Sequence, residues 1–165
     1  MFICENNSMK ILLLGSGGRE HALAWKICKS SQLEKLYVAP GNAGTSEIAE
    51  NIAIDINDFE GIGNFCVQKK INVLVVGPEK PLVNGIHDYF ENSSRLKSVT
   101  VIGPKKEGAI LEGSKDFAKS FMKRHKIPTA KSKSFNNSQI KEAITFLEEK
   151  EGPYVLKADG LAAGK

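Results

Sequence analysis

The chain of 165 residues holds three cysteines, Cys4, Cys28 and Cys66, far apart and in no Cys-x-x-Cys spacing. That scarcity excludes a disulfide framework, a zinc cluster and a dithiol redox centre, and it fits a reducing compartment with unpaired thiols, so a cytoplasmic location is expected. Long apolar runs are missing too: none approaches the ~20 residues that cross a bilayer, and no membrane partner is expected. Residues 1–8 lack the basic start and apolar middle of a secretory leader and read as an N-terminal extension. Aromatic residues make up only 7% of the chain, and 23 basic against 19 acidic residues leave a formal charge of +4, with the lysines scattered rather than gathered in a block. Such a distribution does not mark a nucleic-acid interface.

Further absences narrow the chemistry. In Gly15-Ser16-Gly17-Gly18-Arg19-Glu20 the acid stands where the dinucleotide fingerprint needs its last glycine. The strand Lys35-Leu36-Tyr37-Val38-Ala39 ends at Pro40 rather than at an acid for a ribose hydroxyl, which disfavours a nicotinamide-dependent oxidoreductase. The C-terminal segment lacks the Gly-x-x-x-x-Gly-Lys-Ser/Thr spacing of a P-loop, and no catalytic base or metal-binding carboxylate pair stands out anywhere.

What is present is a junction. The apolar run Lys10-Ile11-Leu12-Leu13-Leu14 passes directly into clustered glycines and then into an amphipathic stretch, which reads as strand, tight loop and helix start. Helix N-termini carry unpaired N–H groups and partial positive charge, so this loop, with Arg19 in it, is a candidate anion site. The competing reading is a tight turn whose glycines serve packing alone. Strand-like runs recur at residues 35–39, 51–54, 73–76 and 99–102, with helical patterns between them; Asp58 is placed to cap one, and Leu82, Ile86, Tyr89 and Phe90 share the face of another. This alternation predicts an α/β fold with a doubly wound parallel sheet, its loops from Gly15, Pro40, Gly77 and Gly103 gathered at one ligand-binding edge. Near Leu111 the rhythm changes. A helix through Asp116 to Lys123, a short strand at 133–135, a helix carrying Ile140, Ile144 and Leu147, and a strand at 154–157 that delivers Lys157 into a small-residue loop mark a second unit. Expected boundaries are 1–8 for the extension, 9–112 for the first domain and 113–165 for the start of the second.

Taken in order, Gly15-Ser16-Gly17-Gly18-Arg19-Glu20-His21, Val38-Ala39-Pro40-Gly41-Asn42-Ala43-Gly44-Thr45, Gly77-Pro78-Glu79, Leu111-Glu112-Gly113-Ser114-Lys115, Ile127-Pro128-Thr129-Ala130 and Lys157-Ala158-Asp159-Gly160 through Gly164-Lys165 resemble the phosphoribosylamine–glycine ligase family of the ATP-grasp superfamily. The resemblance implies a Rossmann-like pre-ATP-grasp domain followed by the beginning of an α+β ATP-grasp domain. It implies ligation of glycine to 5-phosphoribosylamine with ATP and Mg2+, in purine biosynthesis, by a chain that acts on small molecules as a monomer. Gly15, Gly17, Gly18, Arg19, Glu20, Asn42, Gly44 and Glu79 would face phosphoribosylamine; Lys115, Lys157, Gly160, Gly164 and Lys165 would face ATP. Asp159 would fix its loop rather than hold metal. The metal ligands and most of the glycine site are expected beyond Lys165, so the isolated chain should not complete catalysis. The alternative is a non-catalytic module that binds a phosphosugar or nucleotide.

Overall fold

A strand segment covered on both faces must be apolar at every position, and residues 11–14, 36–39 and 73–76 of the central strands are. The computed structural model describes residues 8–161, and within them the chain divides into two compact units after Ala109. In the first unit, strands β1 (Met9–Gly15), β2 (Leu33–Pro40), β3 (Glu50–Asn51), β4 (Val73–Val76) and β5 (Thr100–Ile102) form a parallel sheet in the order β3-β2-β1-β4-β5. The chain steps outward from β1 to β3 and then returns to lay β4 on the other side of β1. Register places Leu12 opposite both Tyr37 and Leu74, and Leu14 opposite both Ala39 and Val76.

That register sorts the side chains into two cores. Leu12, Leu14, Tyr37, Ala39, Leu74 and Val76 pack with Ile62, Phe65 and Cys66 of α3 (Phe59–Lys69) and with Ile86 and Phe90 of α5 (Ile86–Asn92). On the opposite face Leu13, Leu36 and Val38 pack against Ala24 and Ile27 of α1 (Gly18–Ile27). Leu12, Leu13 and Leu14 are fully buried, each worth about 1.5–3 kcal/mol relative to exposure. Cys66 lies in the first core, where burial pushes its thiol up to about 12; Cys28 donates from Sγ to the Ile48 carbonyl at 3.2 Å. Both are free thiols, and Cys4 lies outside the described residues.

Two local expectations change and one holds. The strand expected at 51–54 pairs only through Glu50 and Asn51, because after Ile52 donates to Val38 the chain turns back and Ile54 donates to the Ile52 carbonyl. The helical pattern from Leu82 to Phe90 splits into α4 (Glu79–Val83) and α5, since Gly85 between them has φ +93°. Asp58 does cap α3, accepting from Gly61 N–H at 2.9 Å.

In the second unit, α6 (Lys106–Gly113), in which the division falls, leads to α7 (Lys115–Arg124), and a single 3₁₀ turn at Asn137–Gln139 precedes α8 (Ile140–Glu148). Ser114 caps α7 through Phe117 N–H at 3.1 Å. The strands expected at 133–135 and 154–157 are absent among the described residues: no strand pairs there, and a lone extended segment has no partner for its N–H and C=O rows. Val155 and Leu156 are 78% and 79% exposed as a result. Phe117 of α7 is 37% exposed.

Candidate functional site

The parallel sheet brings the C-terminal ends of β1, β2 and β4 to one edge, where the strand order reverses beside β1. Such a reversal opens a crevice, because the loops on either side leave in opposite directions. Here the crevice is a cleft of about 540 Å³, within the size range of small-ligand sites, framed by the Gly15–Glu20 turn, by Pro40 after β2, by residues 53–56 after β3 and by Pro78 after β4.

The turn after β1 is closed from within. Glu20, only 5% exposed, accepts from Gly17 N–H through Oε2 at 2.8 Å and so caps α1 three residues before itself. Gly17 has no side chain to return the bond, so the cap is one-sided. Glu20 Oε1 is buried without a hydrogen-bond partner. The glycines make room for this carboxylate. A Cβ on Gly15, whose φ is +127°, would stand 2.6 Å from Glu20 Cδ, and one on Gly77 would stand 2.6 Å from Glu20 Oε1. Gly18, by contrast, faces open space. The turn therefore already holds an anion that the chain supplies itself, a role the glycine pattern alone does not reveal.

Arg19 joins two acids. Its Nε lies 3.6 Å from Glu20 Oε1 and a terminal nitrogen lies 3.6 Å from Glu79 Oε2, while its side chain is 68% exposed. One guanidinium between two carboxylates leaves this corner net negative.

Asn42 and Gly44 serve neighbouring loops. Asn42 Oδ1 accepts from Thr45 N–H at 2.9 Å, and its Nδ2 donates to the Ser16 carbonyl at 2.9 Å, tying the loop after β2 to the loop after β1. Gly44, in the short helix α2 (Ala43–Ser46), leaves space for the His21 ring; a Cβ there would stand 2.6 Å from Nδ1. Thr45 is fully buried: its hydroxyl accepts from Asn42 N–H at 2.8 Å and lies 2.8 Å from Asn51 Oδ1.

Thus Gly15, Gly17, Gly18, Arg19, Glu20, Asn42, Gly44 and Glu79 gather at one edge. Sequence reasoning places the Gly77 loop at this edge without giving Gly77 a role of its own, and it misses Thr45 and Asp55. Thr45 carries no distinguishing signal in sequence, whereas Asp55 had one, an acid closing a strand-like run at the same sheet edge. Asp55 lines the cleft and accepts through Oδ1 from Asn57 N–H at 2.7 Å and Asn57 Nδ2 at 3.1 Å; the backbone bond, above all, holds its carboxyl below the usual range.

In the second unit, Asp159 accepts from Lys115 N–H at 2.6 Å, Asp116 N–H at 3.3 Å and Ser114 Oγ at 3.0 Å, and Lys115 Nζ donates to the Gly160 carbonyl at 2.5 Å. The carboxylate thereby sits on the N-terminus of α7. Lys157 is exposed and stands in no strand, and Gly164 and Lys165 lie outside the described residues. The Asp116 and Ser114 bonds, in that order, lower the Asp159 carboxyl below its ordinary 3.8. Docking is therefore complete above 3.8 and lost as pH falls through the lower folded value. Protection of the Lys115 and Asp116 amides, measured as exchange relative to the intrinsic rate at each pH, should fall over that acid window, and Asp159→Asn should remove this change in protection; wild-type protection that stays constant across the window refutes the role.

Among the described residues no three His, Cys, Asp or Glu side chains come together to hold a metal, and no helix is long and apolar enough to cross a membrane. The family model for phosphoribosylglycinamide synthetase, N domain, matches residues 9–112, and that for the ATP-grasp (A) domain of the same synthetase matches 113–165. The chain is 50% identical over 159 residues to a phosphoribosylamine–glycine ligase of Pseudomonas putida, and 48% identical over 159 residues to one of Escherichia coli K12, covering 95% of itself in each case. It covers 35% and 36% of those proteins, about a third of their length. Among solved structures, phosphoribosylamine–glycine ligase of Thermotoga maritima matches with a TM-score of 0.65 at 34% identity, over 94% of this chain and 34% of that one. The biotin carboxylase domain of a Hydrogenobacter thermophilus 2-oxoglutarate carboxylase matches over 88% of this chain and 33% of its own, with a TM-score of 0.61 at 20% identity, a likeness of fold alone.

Proposed function

This chain belongs to the phosphoribosylglycinamide synthetase family, and from that premise we propose that it forms the N-terminal third of an ATP-dependent carbon–nitrogen ligase. In the reaction the γ-phosphoryl group of ATP passes to the glycine carboxylate, giving ADP and an acyl phosphate. The amine of 5-phosphoribosylamine then attacks the acyl carbon, phosphate leaves, and the nitrogen gives up a proton as glycinamide ribonucleotide forms. The observation that carries this reading is the match of two consecutive domains of one synthetase, end to end over residues 9–165.

In this reading residues 9–112 bind phosphoribosylamine at the edge where Gly15, Gly17, Gly18, Arg19, Glu20, Asn42, Gly44 and Glu79 gather. Residues 113–165 open the ATP-grasp domain, with Lys115, Lys157, Gly160, Gly164 and Lys165 toward the nucleotide. Lysines suit that task as point charges for phosphate. Mg2+ bound with the nucleotide would screen its phosphates; the described residues present no ligand set for it. The reading carries with it a cytoplasmic, monomeric enzyme acting on small molecules.

A chimera in which residues 9–165 replace the matching segment of the Escherichia coli relative should release ADP only with both glycine and phosphoribosylamine present. The 165-residue chain alone should not turn over. A folded chimera without turnover refutes the ligase reading, and phosphosugar binding without turnover in that chimera would favour the non-catalytic module instead.

A further inference from the structure

Of the ten described residues that frame the cleft, the only charged ones are Glu20 and Asp55, and both are acids. A wall of that sign repels phosphate and attracts donors, either hydroxyl or amine. Glu20 contributes an oxygen that is buried and has no hydrogen-bond partner, a costly state for a carboxylate. Asp55 contributes an exposed carboxylate. Its Oδ1 is taken by Asn57, at 2.7 and 3.1 Å, which fixes the group and leaves Oδ2 as the acceptor for a ligand. The rest of the frame around these two acids is glycine, proline and aliphatic surface with a single serine, Ser16.

We propose that Asp55 and Glu20 form an acidic receptor wall that orients the donor-bearing sugar end of the substrate, its hydroxyls or amine, and so holds the phosphate away from the cleft floor. Asp55 makes the first contact because it is exposed. Glu20, buried in the wall with its Oε1 3.6 Å from Arg19 Nε, adds the second negative charge. The inference rests on the reading of this cleft as a phosphosugar site and assigns a direction to the bound molecule within it. It also makes Asp55 a specificity residue that the sequence patterns did not single out.

Binding to the 165-residue chain tests it by calorimetry, with inorganic phosphate, ribose 5-phosphate, and ribose 5-phosphate in ammonia, which generates the amine in solution, as three probes. Wild-type chain should bind ribose 5-phosphate more tightly than phosphate. Asp55→Asn removes the charge but keeps a carbonyl for Asn57, so the turn should survive; affinity for the sugar phosphate should fall about tenfold, in keeping with one charge-assisted hydrogen bond, while phosphate binding stays unchanged. A loss already seen without ammonia assigns the contact to hydroxyls, and a loss seen only with ammonia assigns it to the amine. Equal affinity of wild type and Asp55→Asn for both sugar probes, tighter binding by the variant, or wild-type preference for bare phosphate overturns the proposal while leaving the phosphosugar reading standing. Absence of any sugar-phosphate binding by folded wild type overturns both.

Discussion

Replacing Gly15 with alanine should lower stability by about 2–4 kcal/mol in urea unfolding, whereas alanine at Gly18 should stay within about 0.5 kcal/mol of wild type. The two glycines are near neighbours in one motif, yet they do different work. Gly15 has φ +127°, a conformation costly for any residue with a Cβ, and an added methyl would drive into the Glu20 carboxyl group. Relief by moving Glu20 would strip the cap from Gly17 N–H and shift a buried charge. Gly18 opens α1 and meets nothing within 4 Å, so alanine there adds helix propensity at no steric cost. Equal effects at the two positions would show that the turn is not organised around Glu20.

Thr45→Val should cost about 2–3 kcal/mol, and Thr45→Ser about 1 kcal/mol. Valine has nearly the shape of threonine, so packing alone predicts little change. The hydroxyl matters because it sits fully buried between three groups: Asn42 N–H donates to it at 2.8 Å, and the Asn42 carbonyl and Asn51 Oδ1 lie 2.9 and 2.8 Å away. With a single proton to give, it serves one of those acceptors at a time. Valine would leave the Asn42 N–H and at least one acceptor unpaired, and with them the loop that Asn42 ties to Ser16. Urea unfolding of the three proteins decides the matter, since a valine variant no less stable than the serine one would place the effect in packing.

The parallel sheet was legible in residues 11–14 and 73–76 because two-faced burial writes itself as an unbroken apolar run. The common edge for the loops after β1, β2 and β4 followed from the alternation of strand and helix. Where partners lie far along the chain, sequence was mute. Gly77 is small because of Glu20, on another strand's loop, and nothing near Gly77 in sequence says so. The segments at 133–135 and 154–157 have β-forming composition, but a strand is a property of a pair, and the described residues supply no second member. The intrachain contacts of Asn42 and Gly44, with Ser16, Thr45 and His21, likewise join residues that no local pattern pairs.

Asn42 bridges two loops, and Glu20 locks one of them, before any ligand arrives. A receptor fixed in this way has little conformational freedom left to surrender on binding, so the rate of capture should follow encounter in solution rather than a slower rearrangement of the rim.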